Sequence, residues 1–229
     1  MATDDQVRWN RQHAVSHGSD QASSFLKEVL LSGNWPMPRG RALDIATGKG
    51  RNAIFLAEQG FDVVAIDVSP VALDEARRRA AQKSLWSPTG KPVAPSNTPA
   101  GRNPEREPRA KAGDRVKGSI SWQQADLEQI ELPKTTYDLI VNFNYLQRSL
   151  IPQIKAALRP GGHAIFETYL IGQEVIGHPK NPAYLLGHNE LLEQFRDFRV
   201  LCYREGKFSY DGAASFRAGL LAQKVNQRI

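Results

Sequence analysis

The chain has 229 residues, enough for one domain with a full hydrophobic core, whereas two domains would each be cramped. A single cysteine, Cys202, excludes an internal disulfide, and no Cys/His cluster has metal-ligand spacing, so we expect a reducing compartment and no metal. The formal charge is +6, but residues 85–118 carry +4 of it, which excludes a uniformly basic surface on the remainder.

Residues 1–39 precede the first predicted strand, and we treat them as an N-terminal helical segment ahead of a domain over 40–229. Apolar residues within 25–30 have the spacing of one helix face. The N-terminus lacks the apolar stretch of a signal peptide, and no segment approaches the ~20 apolar residues that cross a membrane. We therefore expect a cytoplasmic protein without membrane contact.

The most informative stretch runs from Arg41 to Asp67 and is typical of a strand, a glycine loop, a helix and a second strand. Gly48 and Gly50 allow the backbone to approach a ligand closely, because no β-carbon stands in the way. An apolar helix face follows and ends at Gly60, and the apolar run 61–66 predicts a strand buried on both faces. The stretch is half of a nucleotide-binding α/β sheet.

Two cofactor classes fit this unit. The loop from Gly48 to Ala53 satisfies the dinucleotide pattern G-x-G-x-x-G/A, and Asp67 lies 17 residues after Gly50, near the spacing of a ribose-binding acid. Asp44, at the end of the first strand, argues against a dinucleotide because its carboxylate would repel a pyrophosphate. S-adenosylmethionine instead carries an ammonium and a sulfonium, which an acid attracts.

A helix and a long insertion follow the second strand. Ser69 and Pro70 predict the N-cap and first turn of a helix that ends near Ser84. Residues 85–118 contain six prolines and almost no apolar side chains, so we expect a disordered insertion. A passive linker is favoured over a nucleic-acid-binding arm, because Trp86 is its one aromatic residue for base stacking.

The remaining elements alternate between strands and helices. A third strand begins at Ile120 and has an acid, Asp126, just past its end, and a fourth runs from Tyr137 into a polar loop at the carboxyl edge, where ligands bind in such sheets. Further predicted elements are a helix over 150–158 ended by Arg-Pro-Gly-Gly, strand five over 164–169, a short helix over 190–195, and two final strands over 198–203 and 218–225.

The segment Leu43-Asp-Ile-Ala-Thr-Gly-Lys-Gly50 resembles the first motif of the class I SAM-dependent methyltransferases, acid-x-G/A-x-G-x-G, with Ala46 where glycine is usual. The turn Arg159-Pro-Gly-Gly162 is similar to a second motif of that family. Segments around 145–148, 167–169 and 179–186 resemble a bacterial subgroup related to the tellurite-resistance methyltransferases. The resemblance implies a Rossmann-like α/β fold with a seven-stranded, mostly parallel sheet of order 3-2-1-4-5-7-6, strand seven antiparallel, flanked by helices.

The resemblance also implies which residues hold the cofactor. Asp67 would bind the ribose hydroxyls, Asp126 would accept from the adenine amino group, and Leu127 would contact the ring. Trp9 and Arg11 would belong to a lid over the cofactor; the competing interpretation is that Trp9 packs in the core and Arg11 lies at the surface. The full set of expected cofactor-binding residues is Asp44, Ala46, Thr47, Gly48, Gly50, Asn52, Asp67, Val68, Asp126, Leu127 and Asn142.

The substrate side is expected around four residues near the ends of strands four and five. Arg148 is a candidate clamp for an anionic substrate, with Tyr145 and Tyr169 lining the pocket. Glu167 is a candidate base or a partner that orients Arg148; the competing interpretation for Glu167 is an ion pair at a strand end. Methyl transfer from a sulfonium needs chiefly an aligned nucleophile, so no dyad has to be visible in the sequence.

We therefore predict SAM-dependent methyl transfer by in-line displacement to a small, anionic acceptor. One alternative is an RNA-modifying methyltransferase or a nucleic-acid binder that uses the basic insertion. A second alternative is an NAD(P)-dependent oxidoreductase, which Asp44 and the Pro160-Gly-Gly162 turn both oppose.

Deletion of residues 87–117 tests the role assigned to the insertion. Removing a passive linker should leave the affinity for S-adenosylhomocysteine and the turnover unchanged. An RNA-binding arm would instead show a steep loss of RNA affinity with rising salt, because phosphate contacts release counterions, and the deletion would abolish that binding. Titration of the full chain and the deletion variant with S-adenosylhomocysteine and with RNA separates the two.

Overall fold

The computed structural model describes residues 4–15, 20–85, 117–210 and 213–225. The predicted insertion at 85–118 therefore lies almost entirely outside the described residues. The helices are α1 (Asp4–Val15), α2 (Ser24–Leu31), α3 (Arg51–Glu58), α4 (Pro70–Gln82), α5 (Ile151–Ala157), α6 (Gln173–Ile176) and α7 (Glu190–Gln194). The strands are β1 (Arg41–Ile45), β2 (Asp62–Asp67), β3 (Ile120–Gln124), β4 (Tyr137–Phe143), β5 (Leu158–Tyr169), β6 (Arg199–Tyr210) and β7 (Ala213–Gln223).

These seven strands form one sheet in the order β3-β2-β1-β4-β5-β7-β6, which confirms the predicted topology. The first five positions pair in parallel, and β7 pairs antiparallel with both β5 and β6. Because parallel strands point the same way, β1, β2, β4 and β5 all end at one edge. The loops after these ends are brought together there.

The sheet separates two hydrophobic clusters, as alternating side chains of buried strands require. Along β4, Leu139 and Val141 face a cluster that includes residues of α2 and α3, whereas Ile140 faces a cluster built with α5 and α7. The apolar face predicted at 25–30 belongs to the first cluster. The N-terminal segment thus contributes to the same core as the sheet.

The predicted start of α4 is confirmed in detail. The Ser69 side chain accepts a hydrogen bond from the backbone N–H of Ala72, and Pro70 occupies the first helical position. The helix predicted over 150–158 is shorter, because a 3₁₀ turn at 148–150 precedes α5.

Three predicted strand boundaries were wrong. Strand β5 begins at Leu158 rather than Ala164, because the Pro-Gly-Gly turn forms an irregular first part of the strand, in which the Gly161 N–H bonds the carbonyl of Lys224. Strands β6 and β7 form a hairpin much longer than the two apolar runs. Its outer part carries polar side chains, so hydrophobicity marked only the segment that is packed in the core.

Within the described ranges, no helix has both the length and the apolar character needed to cross a membrane.

Gly50 offers a test of how tightly the first motif is packed. Its φ is +77°, and an added Cβ would lie 2.6 Å from the Trp122 ring and 2.9 Å from the Ala76 Cβ. Gly50→Ala should lower the free energy of unfolding by about 2–4 kcal/mol, since left-handed strain and overpacking add. Gly161 is a matched control, with φ +80° and nothing within 4 Å of an added Cβ, so Gly161→Ala should cost only about 1 kcal/mol. Equal losses in urea unfolding would contradict the packing argument.

Candidate functional site

A cavity of about 730 Å³ opens at the carboxyl edge of the parallel strands. Its loop end comprises the lining residues within 46–52, 67–68 and 126–128, which follow β1, β2 and β3. Its tyrosine end comprises the lining residues within 143–147, 169 and 178–184, which follow β4 and β5. Helix α1 adds Arg8, Trp9 and His13, and α4 adds Arg79.

Ten of the fifteen predicted cofactor and substrate residues line this cavity. They are Ala46, Thr47, Gly48, Asn52, Asp67, Val68, Asp126, Leu127, Tyr145 and Tyr169. The other five, Asp44, Gly50, Asn142, Arg148 and Glu167, are not among its lining residues.

Asp67 fixes the glycine loop to the end of β2. One carboxylate oxygen accepts the backbone N–H of Gly48 at 2.7 Å, and the other accepts that of Ser69 at 2.9 Å. The side chain is buried yet still borders the cavity. Each carboxylate oxygen has two lone pairs, so Asp67 retains capacity to accept from a ligand hydroxyl.

Ala46 adopts a left-handed conformation with φ +51°, which explains why glycine is usual at this position in the motif. The β-carbon costs roughly 1 kcal/mol in that region of φ/ψ space. The loop tolerates the alanine because both the backbone and the side chain of the next residue, Thr47, are fixed by hydrogen bonds. The Thr47 N–H donates to the carbonyl of Ile66, and its hydroxyl donates to Asp44.

Asp44 lies behind the loop rather than in the cavity. It is 1% exposed, its Oδ2 accepts the Thr47 hydroxyl at 2.5 Å, and its carboxyl also accepts a backbone N–H from Ala53. Burial raises the pKa of Asp44 to about 7, and these hydrogen bonds offset part of that rise. The direct contact of Asp44 with a cationic cofactor stays a prediction. What the structure shows is that the Asp44 carboxyl fixes the loop through its hydrogen bonds to Thr47 and Ala53.

Gly50 and Asn142 are not among the lining residues, and their contacts are with the protein around the cavity. Gly50 makes room for Trp122 and α4, and its contact with a cofactor stays a prediction. Asn142 is buried, and its Nδ2 donates to the carbonyl of Tyr145 at 3.0 Å. Its Oδ1 has no hydrogen-bond partner among the described residues, which leaves a buried acceptor next to the site.

Helix α1 lies over the loop end, in the place expected of a lid. The hydroxyl of Ser69 donates to Asn10 at 2.6 Å, which joins α1 to the start of α4. An added Cβ on Gly48 would lie 3.5 Å from His13 Cε1, and the Trp9 and His13 rings are 5.8 Å apart. Trp9 lines the cavity, and its role as part of a lid stays a prediction.

Arg11 lies at the surface, as the competing interpretation has it. Its side chain is exposed and does not line the cavity, whereas Arg8 and His13 do. Trp9 and His13 are four residues apart, so helical spacing could have identified His13 as sharing the face of Trp9. Burial lowers the pKa of His13, and the nearby Lys49 adds to that effect against the attraction of Asp67.

Arg148 does not lie where a substrate clamp must lie. Its guanidinium forms a two-point ion pair with Glu190, at 2.6 and 2.9 Å, and donates to the carbonyls of Ala183 and Leu185. These bonds tie the segment after β4 to the one before α7. The predicted substrate contact is therefore not supported by the structure.

Glu167 is likewise held inside the protein. It is 1% exposed and pairs with Arg204 at 2.7 Å, and Arg217 approaches it at 3.9 Å. The competing interpretation, an ion pair at the strand end, describes its contacts, and Glu167 does not orient Arg148.

The tyrosine end combines aromatic and basic side chains. Tyr169 packs under the guanidinium of Arg217, 4.4 Å from the ring centroid, and the Tyr145 hydroxyl donates to Gln147 at 2.7 Å. Sequence reasoning missed the lining residues His178 and Lys180 and their neighbours up to Tyr184. The resemblance of the segment around 179–186 to the bacterial subgroup was the one signal for them, and it does not mark which of its side chains face the cavity.

The lining residues fit a nucleoside with a cationic amino-acid portion. Asp67 and Asp126 place carboxylates at the loop end, and Val68 and Leu127 offer apolar surface to a base. Asp126 also accepts the backbone N–H of Glu128, so it acts as a turn former and a lining residue together. Asp44 and the orphan oxygen of Asn142 add acceptors just behind the lining.

A family described as a methyltransferase domain matches residues 16–223. Hemagglutinin 1 of Eikenella corrodens is 25% identical over 196 residues, which cover 82% of this chain and 52% of that protein. The chain thus spans about half the length of this curated relative.

Solved structures share the fold at low identity. TehB from Haemophilus influenzae aligns with a TM-score of 0.65 and 16% identity over 94% of this chain and 67% of that one. A SAM-dependent methyltransferase from Aquifex aeolicus gives 0.59 and 16% over 97% and 100%. A phosphoethanolamine N-methyltransferase from Haemonchus contortus gives 0.60 and 16% over 96% and 48%.

Asp44→Asn should change how stability depends on pH. With its pKa raised from 3.8 to about 7, Asp44 binds more protons in the folded than in the unfolded state between those values. Its contribution to stability is therefore present at low pH and is lost as pH rises through about 7. The free energy of unfolding of the variant minus that of the wild type should rise by roughly 3 kcal/mol from pH 5 to pH 8. A pH-independent difference in urea unfolding would refute the buried-acid assignment.

Proposed function

Because the chain belongs to the methyltransferase domain family, we propose that it methylates a small anionic acceptor. S-adenosylmethionine is its methyl donor, and the family's fold is present in full. The single observation that carries the proposal is the cavity at the carboxyl edge, whose loop end and tyrosine end offer two chemically different surfaces.

The loop end is the proposed donor site. Asp67 would take the ribose hydroxyls, since its carboxylate borders the cavity and keeps free lone pairs. Asp126 and Leu127 would take the adenine amino group and ring, and the backbone of Gly48 can approach the ligand closely. His13 and Trp9 cover this end from α1 and would exclude water from it.

The tyrosine end is the proposed acceptor site. Five cations line the whole cavity, namely Arg8, Lys49, Arg51, Arg79 and Lys180, against the three acids Asp67, Asp126 and Glu128. All three acids belong to the loop end, so the described lining of the tyrosine end contains no carboxylate. Of these cations Lys180 is the one that lies in the described lining of the tyrosine end, where no acid opposes its charge, and this favours an anionic acceptor. The Haemonchus contortus enzyme, solved with phosphoethanolamine, is a relative in fold whose acceptor carries an anionic group.

S-adenosylmethionine, when bound, supplies a methyl group on a sulfonium that leaves without help from an acid. What the protein must then provide is alignment of an acceptor atom with that group and exclusion of water. Tyr145 and Tyr169 can wall the acceptor site, and α1 can close over both ends at once. The lining shows no paired acid and base at the tyrosine end, which favours an acceptor that reacts as an anion.

Asp67→Asn tests the donor site. The variant should bind S-adenosylhomocysteine about 1–3 kcal/mol more weakly, because charge-assisted hydrogen bonds become neutral ones and the hold on Gly48 weakens. Asp62→Asn is the matched control at the other end of β2, where the carboxylate bonds Ser119 far from the cavity lining. The readout is calorimetric titration of S-adenosylhomocysteine and, separately, of NAD(H). Preferential NAD(H) binding by the wild type would overturn the proposal in favour of an oxidoreductase.

A further inference from the structure

Arg51 occupies the meeting point of the two ends of the cavity. It is the first residue of α3, directly after the glycine loop, and its half-buried side chain lines the cavity. Its electrostatic neighbours come from both sides, with Asp44 behind the loop and with Tyr169 and Glu167 on β5. A group bound to this guanidinium could therefore belong either to the methyl donor or to the acceptor.

The guanidinium of Arg51 forms no hydrogen bond and no ion pair with any residue in the described parts of the chain. Other basic residues of the cavity are occupied. Arg79 pairs with Asp20 and Glu75, and the Lys180 ammonium donates to the carbonyl of Glu174. Arginine carries five N–H donors in a fixed fork, so leaving a half-buried one unpaired costs free energy unless a ligand satisfies it.

The acids near Arg51 are already engaged elsewhere. Glu167 is neutralised by Arg204, and the carboxyl of Asp44 accepts the Thr47 hydroxyl. Arg217, the other cation of this region, lies near Glu167 and donates to Asn144 at 2.6 Å, and together with burial it lowers the pKa of Arg51. The region around Arg51 thus carries more positive than negative charge, and an anion would balance it.

We propose that Arg51 is the oxyanion-binding residue of the cavity and that its guanidinium grips a carboxylate or an equivalent two-oxygen group. This rests on the proposed methyltransferase function, because that function says what enters the cavity. Two sources can present this chemistry: the α-carboxylate of the donor, whose ammonium would then lie on the side of Asp44, and the anionic group of the acceptor. Fork-to-fork pairing of guanidinium and carboxylate is strong and specific in geometry.

Calorimetric titration of Arg51→Gln distinguishes these sources. If the donor carboxylate is bound, the affinity for S-adenosylhomocysteine should fall roughly ten- to hundredfold, as lost charge-assisted bonds predict. The affinity for 5′-methylthioadenosine, which lacks the amino-acid end, should not change. If the acceptor anion is bound, both nucleosides should bind as in the wild type. In that case benzoate or inorganic phosphate should bind the wild-type complex with S-adenosylhomocysteine but not the variant complex.

Two further variants separate charge from geometry. Arg51→Lys keeps the charge but not the fork, so it should recover only part of the lost affinity. Arg77→Gln removes the same kind of side chain from an exposed pair with Asp74 on α4 and should bind every probe as the wild type does. Thermal unfolding of Arg51→Gln should occur close to the wild-type temperature, because the guanidinium that is removed forms no hydrogen bond or ion pair with the described residues.

Arg51→Gln that binds both nucleosides and both anions like the wild type would overturn the inference. Equal weakening of S-adenosylhomocysteine and 5′-methylthioadenosine would also overturn it, since that result means a distorted loop. If the wild type binds neither nucleoside, the proposed function itself fails. Anion binding that depends on Arg51 would still be visible in that case, so the two failures are distinguishable.

Discussion

The site depends on one carboxylate, that of Asp67, which joins three elements that lie apart in the sequence. It holds Gly48 of the loop after β1 and Ser69 at the start of α4, and Ser69 in turn holds Asn10 of α1. The loop, the second helix of the unit and the covering helix therefore share a single anchor. Charge-assisted hydrogen bonds to backbone N–H groups are among the stronger polar interactions in proteins. A carboxylate is therefore well suited to join these three elements.

A second constraint is that two acids, Asp44 and Glu167, are buried beside the cavity and must be neutralised or hydrogen-bonded there. Asp44 avoids the cost of a buried anion by a raised pKa and by two hydrogen bonds, and Glu167 does so by pairing with Arg204. Arg204 also stacks on Phe25, 4.2 Å from the ring centroid, so this ion pair is built into the hydrophobic cluster around α2. Both acids are thus satisfied behind the cavity, and Arg51 lines the cavity without a hydrogen bond or ion pair to either of them.

Sequence reasoning predicted the parallel part of the sheet well because buried strands and glycine turns leave local signals. The loop with its flanking acids and the cap at Ser69 depend on neighbours within a few residues. The ion pairs of Arg148 and Glu167, in contrast, are formed with residues that lie far away in the sequence. Glu190 lies 42 residues from Arg148, and Arg204 lies 37 residues from Glu167. Such pairs exist only once the chain has folded, so no spacing in the sequence indicates them.

Glu167 and Arg148 are not among the lining residues, which bears on the chemistry that the tyrosine end can offer. A pocket that carried an acid and a clamp at the tyrosine end would suit an acceptor that must be deprotonated and held in place. The described lining instead presents tyrosines, His178 and Lys180 there, and keeps its acids at the loop end. Methyl transfer can proceed from such a surface if the acceptor arrives as an anion, because alignment then supplies most of what the protein must contribute. The separation of the acids from the tyrosine end is therefore the feature on which the proposal of an anionic acceptor depends.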